Sequence, residues 1–128
     1  KAGKDITLCS YGTLINQVLQ AAKLLEAQGI FAEVLKLPSV KPIDMAAIRT
    51  SVRKTGHLLI AEEAVCIGCA GKEIAASLRA GGLNLPIRLC NAGDRFVPHG
   101  ALPALYRLLG LDAESLAKTA LEVLHHEA

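Results

Sequence analysis

Tryptophan is absent from this chain, and phenylalanine and tyrosine occur only twice each. With aromatics at 3% of 128 residues, the core has to be aliphatic, and there is no ladder of rings on which bases could stack. No run of lysine or arginine appears and the net charge is only +2, so the electrostatic footprint of a nucleic-acid binder is missing. No apolar stretch approaches the roughly 20 residues that cross a bilayer. The opening Lys1-Ala2-Gly3-Lys4-Asp5 has no apolar centre of the secretory type. Cysteine is sparse: Cys9, Cys66, Cys69 and Cys90, three of them in or beside apolar runs, where a free thiol acts as a small buried hydrophobe. The expectation is a cytoplasmic protein with reduced thiols that engages neither membrane nor nucleic acid.

What the chain has in quantity is aliphatic surface to bury. Hydrophobic residues make up 52%, enough to fill one domain spanning residues 1–128. The pattern turns on residues 58–80. Leu58 to Ala61 is an apolar run that predicts a buried strand, Glu62-Glu63 and a small-residue turn follow, and Ile74, Ala75 and Leu78 then repeat at helical spacing. Similar units flank it. Asp5 to Cys9 predicts a first strand, followed by a helix with Leu14, Ile15, Val18, Leu19, Ala22 and Leu25 facing inward. Ala32 to Leu37 predicts a second strand, Asp44 caps a helix carrying Met45, Ile48 and Val52, and Ile87 to Cys90 follows Pro86 as a fourth strand. Two helices close the chain, a short one with Leu102, Leu105, Tyr106 and Leu109 and one capped by Asp112. Strands alternating with helices predict a three-layer α/β/α fold around a mainly parallel sheet of about four strands in the order 2-1-3-4.

In such sheets ligands gather at the carboxyl ends of strands, at the point where strand order reverses. That point lies between the first and third strands and puts Ser10, Gly12 and Thr13 opposite Glu62, Glu63, Gly68 and Gly71. Helix N-termini there can hold an anion, although neither turn matches a dinucleotide or P-loop fingerprint. Glu62 and Glu63 are adjacent and point to opposite faces of a strand end, so they cannot share one proton; one is expected to accept local backbone N–H groups and the other to reach solvent. Cys66 and Cys69 sit between strand and helix, where a redox dithiol would sit, but no aromatic precedes Cys66. Zinc would need two further ligands, and no second CxxC or HxxxH occurs. Arg95 and His99 belong to a dense loop, Asp94 to Gly100, read either as interface or ligand positions or as an Asp94–Arg95 surface pair with His99 packed after Pro98.

Taken together, Ser10-Tyr11-Gly12, the stretch Leu37-Pro38-Ser39-Val40-Lys41-Pro42-Ile43-Asp44, Lys54-Thr55-Gly56-His57, and Glu62-Glu63 with Gly68 and Gly71 resemble the C-terminal domain of transketolase-like thiamine diphosphate enzymes. The loop from Asp94 to Gly100, followed by Leu108-Leu109-Gly110-Leu111-Asp112, looks most like the 1-deoxy-D-xylulose-5-phosphate synthase branch. The chain departs from the family pattern where Gly68-Cys69 replaces two glycines and Ala70 replaces an aromatic. The resemblance implies a part of a larger enzyme whose thiamine diphosphate and Mg²⁺ bind between its other domains. It implies no catalytic, cofactor or metal residue in this chain, and partners in the form of those other domains or a subunit and a homodimer. It also implies an antiparallel edge strand ahead of Asp5, for which the chain has few residues, so the outer edge of Ala32 to Lys36 is expected to be bare and prone to pairing.

Overall fold

The computed structural model describes residues 1–126. Four parallel strands, β1 (Ile6–Ser10), β2 (Ala32–Lys36), β3 (Leu58–Ala61) and β4 (Ile87–Cys90), form one sheet in the order β2-β1-β3-β4. Ile6 stands beside Ala32, Leu8 beside Leu59, and Leu59 beside Arg88, which sets the register across the sheet. The central strands β1 and β3 are buried at every position, as parallel strands covered on both faces must be.

Two apolar layers result. On one face α1 (Ile15–Glu26) and α5 (Ala113–His125) pack Val18, Leu25, Leu116 and Ala120 against Ile6, Leu8 and Leu59. On the other, α2 (Met45–Thr55) and α3 (Ala70–Ala80) pack Ile48, Val52, Ile74 and Leu78 against Cys9, Leu58 and Ile60. Several element boundaries have a local cause. Asp44 accepts the Ala47 N–H at 3.0 Å and Asp112 accepts the Ser115 N–H at 3.2 Å, which starts α2 and α5. Gly56 closes α2 in the left-handed conformation. The short α4 (Leu102–Leu109) takes Pro103 into its first turn. Three of the buried polar residues pair with one another: the Thr7 hydroxyl lies 2.7 Å from both Ser51 and Thr55 hydroxyls.

Three expectations change. β1 and β2 are displaced to Ile6–Ser10 and Ala32–Lys36, shifts of a residue or less at each end. Leu19 is 38% exposed, because α1 turns the stripe Val18–Ala21–Ala22–Leu25 inward and Leu19 falls on its flank. The edge of β2 is not bare. Lys1 donates to the Val34 carbonyl at 3.3 Å and accepts the Val34 N–H at 2.9 Å, and Lys4 and Asp5 donate to the Phe31 carbonyl. A segment of only five residues therefore runs antiparallel down β2. It fits because Gly3 has no side chain: a Cβ there would lie 2.2 Å from the Ala32 carbonyl carbon and 2.3 Å from the Glu33 nitrogen. Glu33 secures the segment by accepting the Gly3 N–H while also pairing with Lys54.

Candidate functional site

The chain leaves β1 for α1 on one face of the sheet and leaves β3 for α3 on the other, so a crevice opens between the carboxyl ends of the two strands. The two residues that follow β3 enter it from opposite sides. Glu62 is fully buried; its Oε1 accepts the Gly71 N–H at 2.9 Å and its Oε2 accepts the Tyr11 hydroxyl at 2.8 Å. Glu63 is exposed and accepts the Tyr106 hydroxyl, with the Thr13 hydroxyl at 3.4 Å. The split between a carboxyl bonded to local backbone and one turned outward matches the alternation of side chains along a strand. The partners are less legible: each carboxyl takes one of the chain's two tyrosines. Tyr11 reaches Glu62 from the end of β1, and Tyr106 reaches Glu63 from α4.

These contacts hold the phenols protonated. Burial, followed by the hydrogen bond and charge of Glu62, raises the Tyr11 hydroxyl well above its ordinary value, and burial with the hydrogen bond to Glu63 raises the Tyr106 hydroxyl. A phenol in that state donates and does not act as a base.

The predicted site residues fall into four groups. Glu62, Gly71, Thr13 and Glu63 belong to the crevice network. Gly68, with φ +70°, lines a neighbouring cleft of about 770 Å³ together with Tyr11, Lys41, Cys69 and Glu73. Gly12 is exposed in a left-handed turn at φ +64°, while Ser10 is fully buried and cannot face a ligand. Arg95 and His99 stand apart on an exposed loop. Arg95 donates to the Ala92 carbonyl at 3.2 Å instead of pairing with Asp94, and His99 is exposed and not packed. The Gly71 amide, at the start of α3, is the group a bound anion would use, and Glu62 already occupies it.

Cys69 caps α3 without a side-chain cap bond, and burial with the nearby Glu62 raises its thiol. Cys69 is therefore not an activated, nucleophilic thiol, which would need the opposite shift. Burial also lifts the Cys9 thiol to about 12 and the Cys90 thiol to about 11. All four thiols are free, and Cys66 is the partly exposed member of the CxxC. We therefore expect a thiol reagent at neutral pH to label one cysteine rapidly, Cys66, and the other three only after denaturation. Mass spectrometry of the labelled peptides checks this; rapid labelling of Cys69 would contradict it.

The sequence profile described as "Transketolase, C-terminal domain" matches residues 1–116. The chain belongs to the transketolase C-terminal domain family. Among relatives of this transketolase C-terminal domain, a 1-deoxy-D-xylulose-5-phosphate synthase from Heliobacterium modesticaldum is 34% identical over 96% of the chain and 19% of its own length. One of the subunits of an apulose-4-phosphate transketolase from Phocaeicola vulgatus is 34% identical over 94% of the chain and 38% of its own length. A solved split-gene transketolase, described as an inactive beta4 tetramer, superposes with a TM-score of 0.87 at 35% identity, covering 97% of this chain and 39% of that one. The chain thus spans between about a fifth and two fifths of the relatives it matches.

Proposed function

We propose that this domain is a non-catalytic assembly module, one part of a larger thiamine-diphosphate-dependent transferase of the transketolase type. The parent would be a 1-deoxy-D-xylulose-5-phosphate synthase, joining pyruvate and glyceraldehyde 3-phosphate with loss of CO₂, or another transketolase-like enzyme. Its partners would be the remaining domains or a companion subunit, in a homodimer located in the cytoplasm. No described helix is long and apolar enough to cross a membrane. The relatives' names and the partial coverage of their lengths support a role within a larger assembly.

The observation that carries the non-catalytic part is the engagement of both crevice carboxyls. The Mg²⁺ of a bound diphosphate takes one or two protein carboxylates besides the phosphate oxygens and water. Glu62 is committed through both oxygens to Gly71 and Tyr11, Glu63 is held through Oε1 by Tyr106 and Thr13 and keeps only Oε2 free, and no group of three or more His, Cys, Asp or Glu side chains converges among the described residues. These residues do not fit the cofactor, so no catalytic step is assigned to them. A second reading, a small anionic regulator, rests on the 770 Å³ cleft and its Lys41, but Glu73 lines the same cleft and opposes an anion.

Calorimetric titration separates these readings. Thiamine diphosphate with Mg²⁺, and inorganic phosphate in a parallel run, are both expected to give no saturable heat with this chain. A saturable micromolar response to the cofactor would overturn the non-catalytic assignment; a response to phosphate alone would favour the regulator.

A further inference from the structure

The helix α4 is leucine-rich, with Leu102, Leu105, Leu108 and Leu109 in eight residues, yet it buries only Tyr106. A helix of that composition in a globular domain ordinarily turns a full apolar stripe inward. Here Leu102, Leu105 and Leu109 line an open groove of about 260 Å³ between α4 and the loops that leave β3 and β4. Val65 and Val97, at 49% and 41% exposure, and Leu102, at 53%, form its walls. The same two loops carry Ile67 at 65% exposure and Phe96 fully in solvent. Phe96 stands next to Val97, which lines the groove. Single exposed apolar residues need no explanation, but clustered around one groove they mark a contact surface.

The path of the chain indicates what covers it. Lys1 lies opposite Val34, Gly3 against Ala32 and Glu33, and Lys4 and Asp5 against Phe31, so the segment descends from the middle of β2 past its amino end. Polypeptide preceding Lys1 on the same line would pass Lys36 and arrive from the carboxyl end of the sheet. The groove, built from residues that follow β3 and β4, opens at that end. Relatives of this C-terminal domain carry most of their length outside the matched region. We infer that the groove between α4 and the loops after β3 and β4 is the docking surface for the thiamine-diphosphate-binding part of the same enzyme. That part presents an aliphatic protein surface, with Phe96 and Ile67 inserting into it as anchors. This inference rests on the proposed function.

The test compares the full parent enzyme with this chain. Amide hydrogen exchange over residues 63–68 and 95–109 is expected to slow at least tenfold in the parent. Phe96→Asp and Leu102→Asp, made separately in the parent, should each weaken association of this domain with the preceding polypeptide by tenfold or more. Lys118→Asp, on the exposed side of α5, should not. Phe96 is in solvent and Leu102 is half exposed, so the melting temperature of this chain alone should move little. Unchanged exchange in the parent overturns the docking surface. So does concentration-dependent protection of the same amides in this chain alone, which would assign the groove to a second copy. A covered groove in a parent without thiamine-diphosphate-dependent activity would sink the enzymatic reading and leave the docking surface standing. An active parent with the groove exposed would do the reverse.

Discussion

Glu62→Ala is expected to be the most damaging single substitution in the crevice. It removes the acceptor of the Gly71 N–H and of the Tyr11 hydroxyl in one step, and Glu62 has no exposure through which water could replace it. A buried donor left without a partner costs about 1–3 kcal/mol. The Gly71 amide bears that cost in full, while Tyr11, only partly buried, recovers some of it from solvent. A loss of roughly 2–4 kcal/mol follows, and for a domain of this size it lowers the melting temperature by on the order of 10 °C. Glu62→Gln keeps an acceptor of the same shape, and its cost should stay near 1 kcal/mol by the same hydrogen-bond scale. Thermal and urea denaturation of the two variants check the ranking. Equal losses for Ala and Gln would mean that the hydrogen bonds contribute little and that the packing around the carboxyl carries the stability.

Gly71→Ala should destabilise although it replaces glycine by the best helix former inside a helix. A Cβ at this position would sit 2.6 Å from Glu62 Oε1 and 3.0 Å from Leu89 Cδ2. Oε1 is the tip of a side chain, but it is tethered by the very amide it would have to leave. Helix propensity favours alanine by up to about 1 kcal/mol, less in a first turn, whereas overpacking in a filled site costs about 1–3 kcal/mol. The clash wins, with a net loss of about 1–2 kcal/mol. The decisive measurement is the pair. In the Glu62→Ala background the oxygen is gone, only the Leu89 contact remains, and Gly71→Ala should become close to neutral. The resulting coupling is on the order of 1–2 kcal/mol, as befits residues in direct contact. Additive effects would show that the space at Gly71 is not set by Glu62.

Periodicity carries the architecture because its signals are local and repeated. Leu58–Ala61 reads as a buried strand and α3 as a helix without reference to any other element, and the parallel order follows from the alternation. The divergence of Glu62 and Glu63 is legible for the same reason, since adjacent residues on a strand face opposite ways. Their tyrosine partners are not. Tyr106 lies 43 residues from Glu63 and Tyr11 lies 51 residues from Glu62, and no local pattern encodes a contact over that separation. Gly71 reads as a turn glycine, but its requirement is space beside a carboxyl and not an unusual backbone angle. Gly3 misleads in a similar way. By length alone a five-residue stretch is too short to guard β2, and only the absent Cβ at Gly3 lets it lie close enough to do so. Leu19 is misplaced by its spacing because an apolar residue on the flank of a helical stripe is indistinguishable in sequence from one at its centre.

The two tyrosines also make the domain its own optical reporter. With no tryptophan to dominate its ultraviolet emission, the signal belongs to Tyr11 and Tyr106. Both are tied by their hydroxyls to neighbouring carboxyls at one seam of the sheet, between the ends of β1 and β3. A change in that light therefore comes from the seam itself, not from an average over the molecule, and it requires no label.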